Sequence, residues 1–185
     1  LIRITFFATL AASFALVAYW GSTTWIPTFL VQERGLDMQT MSIFFLILNI
    51  GMFVGYNLFG YLADIIGRKK AIILSFLGTT VTLPIYVMSE STIALLWLGP
   101  VYAFFISFAG LFGSYFGELY PTRVRTLGAG FCFNVGRGLS AFSPFVLGFV
   151  SAKYGLTVGI GICALFFLAA AITMLFLPNT NHKTN

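Results

Sequence analysis

Apolar residues in this chain come in long unbroken runs, without the alternation or one-sided periodicity of a water-soluble domain. Six runs, approximately 6–30, 41–62, 71–89, 93–116, 127–150 and 157–177, are each long enough to cross a bilayer, which takes about 20 residues. Hydrocarbon offers backbone N–H and C=O groups no partner, so runs of this length predict helices. The roughly ten-residue alternating segments of a membrane barrel are absent. The pattern therefore predicts an all-α, polytopic membrane protein with six transmembrane helices. Composition agrees. Only 8% of residues are charged and 59% are hydrophobic, where a soluble domain carries about a quarter charged residues.

The few charges sit in the breaks between runs and orient the spans. Arg3, Arg68, Lys69, Lys70, Arg123, Arg125 and Lys183 fall on one side, and Arg34 and Lys153 on the other. The positive-inside rule places the first side, and both ends of the chain, in the cytoplasm, with the plasma (inner) membrane as the expected location. A net charge of +5 spread over short loops makes no basic patch for nucleic acid. Cys132 and Cys163 lie inside apolar runs and read as small buried hydrophobes. No Cys/His cluster suggests a metal site, and nothing implies a cofactor. The chain begins at Leu1 and enters an apolar run at once, so it is expected to be a piece of a longer protein.

A weak internal repeat runs through the sequence. GYLADIIG (60–67) and GFVSAKYG (148–155) share glycines seven apart, and WIPT (25–28) matches LYPT (119–122). Spans one to three thus repeat as four to six. An odd repeat length inverts the second copy across the membrane, giving two inverted three-helix repeats. Gly51, Gly55 and Gly60 in the second span, and Gly128, Gly130, Gly136 and Gly138 in the fifth, allow close helix approach. Pro84, Pro100 and Pro144 lie within the third, fourth and fifth spans.

Two loops carry chemistry. In GYLADIIGRKK (60–70), Gly60 and Gly67 permit a tight turn, and Asp64 can pair with a cation or accept from a helix N-terminus. In GELYPTRVRTLGAG (117–130), Glu118 and Arg125 flank a proline turn and are close enough in sequence to bridge. An exposed ion pair of that kind contributes under about 1 kcal/mol, so its reading as a latch stands beside a purely structural one.

These loops resemble those of the major facilitator superfamily. GYLADIIGRKK is similar to its G-x-L-a-D-x-x-G-R-[RK]-[RK] motif at Gly60, Leu62, Ala63, Asp64, Gly67, Arg68, Lys69 and Lys70. GELYPTRVRTLG resembles the E-x-[YF]-P-T-x-x-R-x-x-G signature of sugar-porter and metabolite:proton symporter branches at Glu118, Tyr120, Pro121, Thr122, Arg125 and Gly128. LPNTN (177–181) loosely resembles an L-P-E-T-K ending. The resemblance implies the C-terminal six-helix half of such a transporter, with an N-terminal half as its partner. It further implies alternating access with proton-coupled symport, leaning toward organic-acid or sialate-like substrates. A sugar or polyol carrier and a drug exporter of the same superfamily are the alternatives.

The polar residues inside the spans carry the substrate question. Arg137 lies about 15 Å along the fifth span, near the middle of a hydrocarbon core about 30 Å thick. A charge at that depth is functional by default and needs a partner. Asn134 shares its face, and Ala141 and Pro144 continue the stripe. Asn49 and Tyr56 share a face of the second span, with Asn57 beside it. Tyr19 and Trp20 lie in the first span, Tyr102 and Tyr115 in the fourth. Together Arg137, Asn134, Asn49, Tyr56, Tyr19, Trp20, Tyr102 and Tyr115 suit a small organic anion. The competing reading makes Arg137 a strut paired with an acid outside this chain, and puts Trp20, Trp25 and Tyr115 in core or interface positions. No Asp or Glu lies within a span and the one histidine, His182, lies in the tail. A membrane-embedded enzyme therefore lacks its catalytic groups, and any proton coupling falls to a part not present here.

Overall fold

The computed structural model describes residues 1–180; Asn181, His182 and Lys183, named above, lie outside the described residues. The described residues form helices and connecting turns only. In chain order the helices are α1 (Ile2–Gln32), α2 (Met38–Ile66), α3 (Arg68–Met88), α4 (Thr92–Phe105), α5 (Phe108–Leu119), α6 (Arg125–Ser140), α7 (Ser143–Tyr154) and α8 (Leu156–Leu175), with a short 3₁₀ turn at Thr122–Val124. Taking α4 with α5 and α6 with α7, they make the six expected spans. The bundle has two ends. One holds Leu1, Gly67, Arg68 and Tyr120 and is called the Arg68 end; the other holds Glu33, Ser89 and Gly155 and is called the Glu33 end.

Two spans expected to be continuous are broken. The fourth breaks at Ile106–Ser107, where ψ rises to 13° and 6°. Its freed carbonyls find hydroxyls: Ser75 on α3 donates to the Phe105 carbonyl and Ser107 to that of Phe104. Pro100 lies a turn and a half earlier, within a helix that runs on to Phe105. The fifth span breaks at Ala141–Phe142, just before Pro144 in the first turn of α7. Proline there has no N–H to return to the carbonyl of Ser140. The break interrupts the stripe expected to run from Asn134 through Arg137 to Pro144.

Packing follows the inverted repeat. α1 lies against α6 as α2 lies against α4. α1 meets α8 as α4 and α5 meet α3, α2 adjoins α3 as α7 adjoins α8, and α3 packs on α8 across the centre. The two turns suggested by the repeated glycines match in conformation. Gly67 has φ 95° and ψ 143°, Gly155 has φ 91° and ψ 156°, and each ends one helix while starting the next. A side chain is strained at such φ, which is why glycine holds both corners.

Glycine also sets the closest helix contacts. A Cβ on Gly51 would come within 2.4 Å of the Pro100 carbonyl oxygen, and one on Gly55 within 2.3 Å of the Phe104 carbonyl. Across the repeat, a Cβ on Gly136 would lie 2.9 Å from the backbone of Ala12. Gly60, by contrast, has open space where its Cβ would be. Gly51→Ala should therefore destabilise the protein by about 1–3 kcal/mol, since backbone cannot yield as a side chain can. Gly60→Ala should stabilise slightly or be neutral, by about 0.5–1 kcal/mol at most. Thermal unfolding in detergent, comparing the two variants, checks the contrast.

Candidate functional site

Exposed side chains divide by helix. The exposed positions of α3 beyond its first turn are Leu74, Leu77, Val81, Ile85 and Met88; those of α8 are Val158, Leu165, Leu168, Ile172 and Leu175. Both are apolar from end to end, as hydrocarbon contact requires. Exposed polar side chains of the spans belong to other helices, among them Trp20 and Thr24 on α1, Ser42, Asn49 and Asn57 on α2, Trp97 on α4, Ser114 on α5, and Asn134 and Arg137 on α6. Polar groups facing outward at bilayer depth are costly against lipid, and on α2 and α6 they stand beside exposed apolar side chains such as Phe53, Leu58, Phe131 and Leu139.

Arg137 is exposed on α6, about 18 Å along the helix from Arg125. It has no ion-pair partner among the described residues. Asn134 is exposed one turn earlier, its Nδ2 donating to the Gly130 carbonyl at 2.8 Å. Tyr56 lies about 15 Å from the end of α2 at the same end of the bundle, half-buried against Gly110 of α5. Asn57 follows it, exposed. Tyr19 and Trp20 meet edge to face with centroids 5.4 Å apart, and Tyr19 rests on Phe108 at 6.1 Å. They stand with Asn49 in a tier roughly 10 Å nearer the Glu33 end than Arg137.

Two expected ligands are elsewhere. Tyr102 is completely buried, stacked on Tyr86 with ring centroids 5.8 Å apart, its hydroxyl 3.0 Å from the Ser22 oxygen. Tyr115 is completely buried near the Arg68 end, where it donates to the Pro178 carbonyl at 2.7 Å. Aromatic spacing cannot tell a bundle interior from a cavity wall, and these two tyrosines went to the interior. Trp25 likewise packs inward, donating from Nε1 to the Pro144 carbonyl at 3.0 Å.

At the Arg68 end the loop motifs meet, but in a different pairing from the one the sequence suggested. Glu118 forms its ion pair with Arg68, linking the two motifs, while Arg125 lays its methylenes against Gly117. Both partners of the pair are mostly shielded from solvent. Asp64 is exposed on the last turns of α2. Tyr120 donates to the Thr5 hydroxyl at 2.9 Å and sits 3.1 Å from the Cys132 sulfur, and its ring occupies the space a side chain at Gly128 would need. Burial, then the neighbouring thiol, push the Tyr120 hydroxyl up to about 12, so it remains a neutral donor. Lys69 donates to the carbonyls of Leu175 and Leu177 at 3.2 and 2.6 Å, a cation at the C-terminal end of α8.

The Glu33 end holds a cluster that sequence reading missed. The Glu33 carboxylate accepts from the N–H groups of Leu156 and Thr157 and from the Thr157 hydroxyl, capping α8, whose own N-cap is glycine. The next residue, Arg34, donates to the carbonyls of Val87 and Ser89 at 2.5 and 2.8 Å, closing the C-terminus of α3, and lies over the Phe29 ring. Each charge sits at the helix end its sign favours. The available signal was an adjacent acid and base just past an apolar run, opposite a helix start with no capping side chain.

The comparisons with known proteins settle the family. The Major Facilitator Superfamily matches residues 8–185. The chain belongs to that family, and its six apolar helices make it an integral membrane protein. It is 30% identical over 177 residues to a cis,cis-muconate transport protein of Acinetobacter baylyi, covering 94% of this chain and 42% of the relative. It is 28% identical over 161 residues to a sialic acid transporter of Escherichia coli, covering 85% and 39%. The chain thus spans about two fifths of the length of these relatives. Among solved structures, a peptide transporter crystallised with alafosfalin superposes with a TM-score of 0.77 at 20% identity, over 92% of this chain and 37% of that one. That likeness supports the fold, half of a major facilitator bundle.

The Glu33 cluster should respond to acid. Partial burial raises its carboxyl, but the Thr157 hydroxyl, the two N–H groups and the Arg34 charge together outweigh this and hold it below its ordinary value of 4.5. A depressed carboxyl contributes stability that is complete above the ordinary value and lost as pH falls through the folded one. Thermal stability should therefore decline as pH drops below 4.5. Glu33→Gln should lower stability at pH 7 and flatten that decline.

Proposed function

We propose that the chain is the C-terminal half of a secondary transporter that moves a small organic anion by alternating access, with an N-terminal six-helix half completing the path. The supporting observation is Arg137: a guanidinium at bilayer depth, exposed, without an ion-pair partner in the described residues, one turn from the exposed amide of Asn134. Guanidinium and carboxylate match in a two-bonded fork, which suits an anionic substrate better than a neutral sugar or a lipophilic drug. The muconate and sialic acid named for two relatives are both carboxylates, which supports the same reading. Asn134, Asn49, Tyr56, Tyr19 and Trp20 complete the proposed binding face. Tyr102 and Tyr115 are left out because their hydroxyls are engaged inside the bundle.

In this reading both chain ends face the cytoplasm, in the plasma membrane, as the loop cations favour. The Arg68–Glu118 pair, with Gly60, Asp64 and Gly67 alongside and Arg125 nearby, then forms the cytoplasmic gate region. Proton coupling requires a titratable group at depth, and the acids in the spans of this chain, Asp64 and Glu118, lie only in the last turns of α2 and α5 at the Arg68 end. The coupling acid is therefore assigned to the N-terminal half. In the full-length carrier, Arg137→Ala should raise the half-saturating concentration of a transported carboxylate roughly ten- to a hundredfold, the loss of a charged hydrogen-bonded contact. Arg137→Lys should recover only part of it. Radiolabelled uptake in proteoliposomes with matched protein content is the measurement. Unchanged carboxylate affinity in Arg137→Ala, or competition by neutral sugars as strong as by sugar acids, would overturn the anion reading.

A further inference from the structure

Three amides on the polar face share one arrangement. The Nδ2 of Asn49 donates to the Phe45 carbonyl at 2.7 Å, that of Asn57 to the Phe53 carbonyl at 2.8 Å, and that of Asn134 to the Gly130 carbonyl at 2.8 Å. In each case the partner is the carbonyl four residues earlier on the same helix. A carbonyl accepts only from the N–H corner of an amide, so this bond fixes which corner is which. The Oδ1 of all three is left on the outward side. All three residues are exposed, and none of the three oxygens has a hydrogen-bond partner among the described residues. Held in this way, the amides cannot exchange oxygen for nitrogen without giving up that bond and setting two acceptor oxygens against each other.

The face therefore offers one cation and three oriented carbonyl-type acceptors on α2 and α6. Asn57 and Asn134 lie at about the level of Arg137, and Asn49 about 12 Å further along α2 than Asn57. Arg137 answers a carboxylate. A hydrocarbon acid brings nothing for the oxygens, which would lose their water on closure and gain no donor. An acid that also carries hydroxyl or amide N–H groups supplies donors to them. Each amide keeps one further N–H, and a hydroxyl, donor and acceptor at once, satisfies that too. We infer that the substrate is a carboxylate bearing hydroxyl or amide N–H groups, a sugar-acid type of molecule rather than an unsaturated or saturated hydrocarbon acid, and that Asn49, Asn57 and Asn134 select it. This inference rests on the anion-carrier reading above and narrows it. Sites built to bond a substrate hydroxyl discriminate strongly against analogues that lack it, because their own buried groups are left unpaired.

The test is a competition panel on the full-length carrier in proteoliposomes, with displacement of a bound or transported carboxylate by D-glucuronate, N-acetylneuraminate, adipate, hexanoate and D-glucose. The hydroxylated acids should compete at least about tenfold better than adipate and hexanoate, and glucose should compete poorly. Asn57→Leu and Asn134→Leu should each narrow the gap between glucuronate and adipate, severalfold or more, by weakening glucuronate. Adipate or hexanoate matching or exceeding the hydroxylated acids overturns the selection inference while leaving the anion carrier intact. Glucose matching glucuronate overturns the anion reading itself, as does failure of every acid to compete. Wild-type protein alone suffices for these outcomes, so poor folding of a variant does not remove the test.

Discussion

Everything in this bundle follows from the absence of water as a hydrogen-bond partner in hydrocarbon. Each helix end, break and polar side chain must find its partner within the protein. At the break in the fourth span, Ser75 and Ser107 supply hydroxyls to the freed carbonyls. The helices α3 and α8 have ends closed by charged side chains: Glu33 on the start of α8, Lys69 on its end, and Arg34 on the end of α3. The same constraint makes an unpartnered guanidinium informative. In a soluble protein an exposed arginine means nothing, whereas at the depth of Arg137 a lipid neighbour would be costly.

The division of the exposed surface gives this its spatial meaning. Apolar positions run the length of α3 and α8, while the polar ones fall on α1, α2, α4, α5 and α6. The bundle thus has one greasy side and one mixed side. The inverted repeat accounts for it, since α2 and α6 hold equivalent places in the two copies and both carry asparagines outward.

The spans, their number and the two repeated turns were legible in the sequence, because run length and glycine spacing depend on local physics that the fold preserves. That Arg137 and Asn134 share an exposed face of α6 was legible for the same reason: three residues apart on a helix is a face in any context. Tyr102 and Tyr115 were not, since an aromatic ring suits a packed interior and a cavity wall equally, and only the neighbouring helices decide. The partner of Glu118 was also out of reach. Seven residues separate it from Arg125 and fifty from Arg68, and sequence proximity favoured the wrong one. The helix break at Ile106 depended on a hydroxyl from α3 and was not legible, whereas Pro144 marked the break at Ala141 locally.

The two glutamates that meet the glycine turns differ in what they hold. Glu33, at the end of α1, grips backbone N–H groups after Gly155; Glu118, near the end of α5, grips the Arg68 side chain after Gly67. A backbone donor is the same whatever residue carries it, so the first position accepts only a side chain that can receive a hydrogen bond. A side-chain pair can be rewritten from both sides, its charges exchanged or replaced together. A change at Glu33 therefore leaves backbone donors that no second substitution can remove, whereas a change at Glu118 leaves a charge that a second substitution at Arg68 could answer.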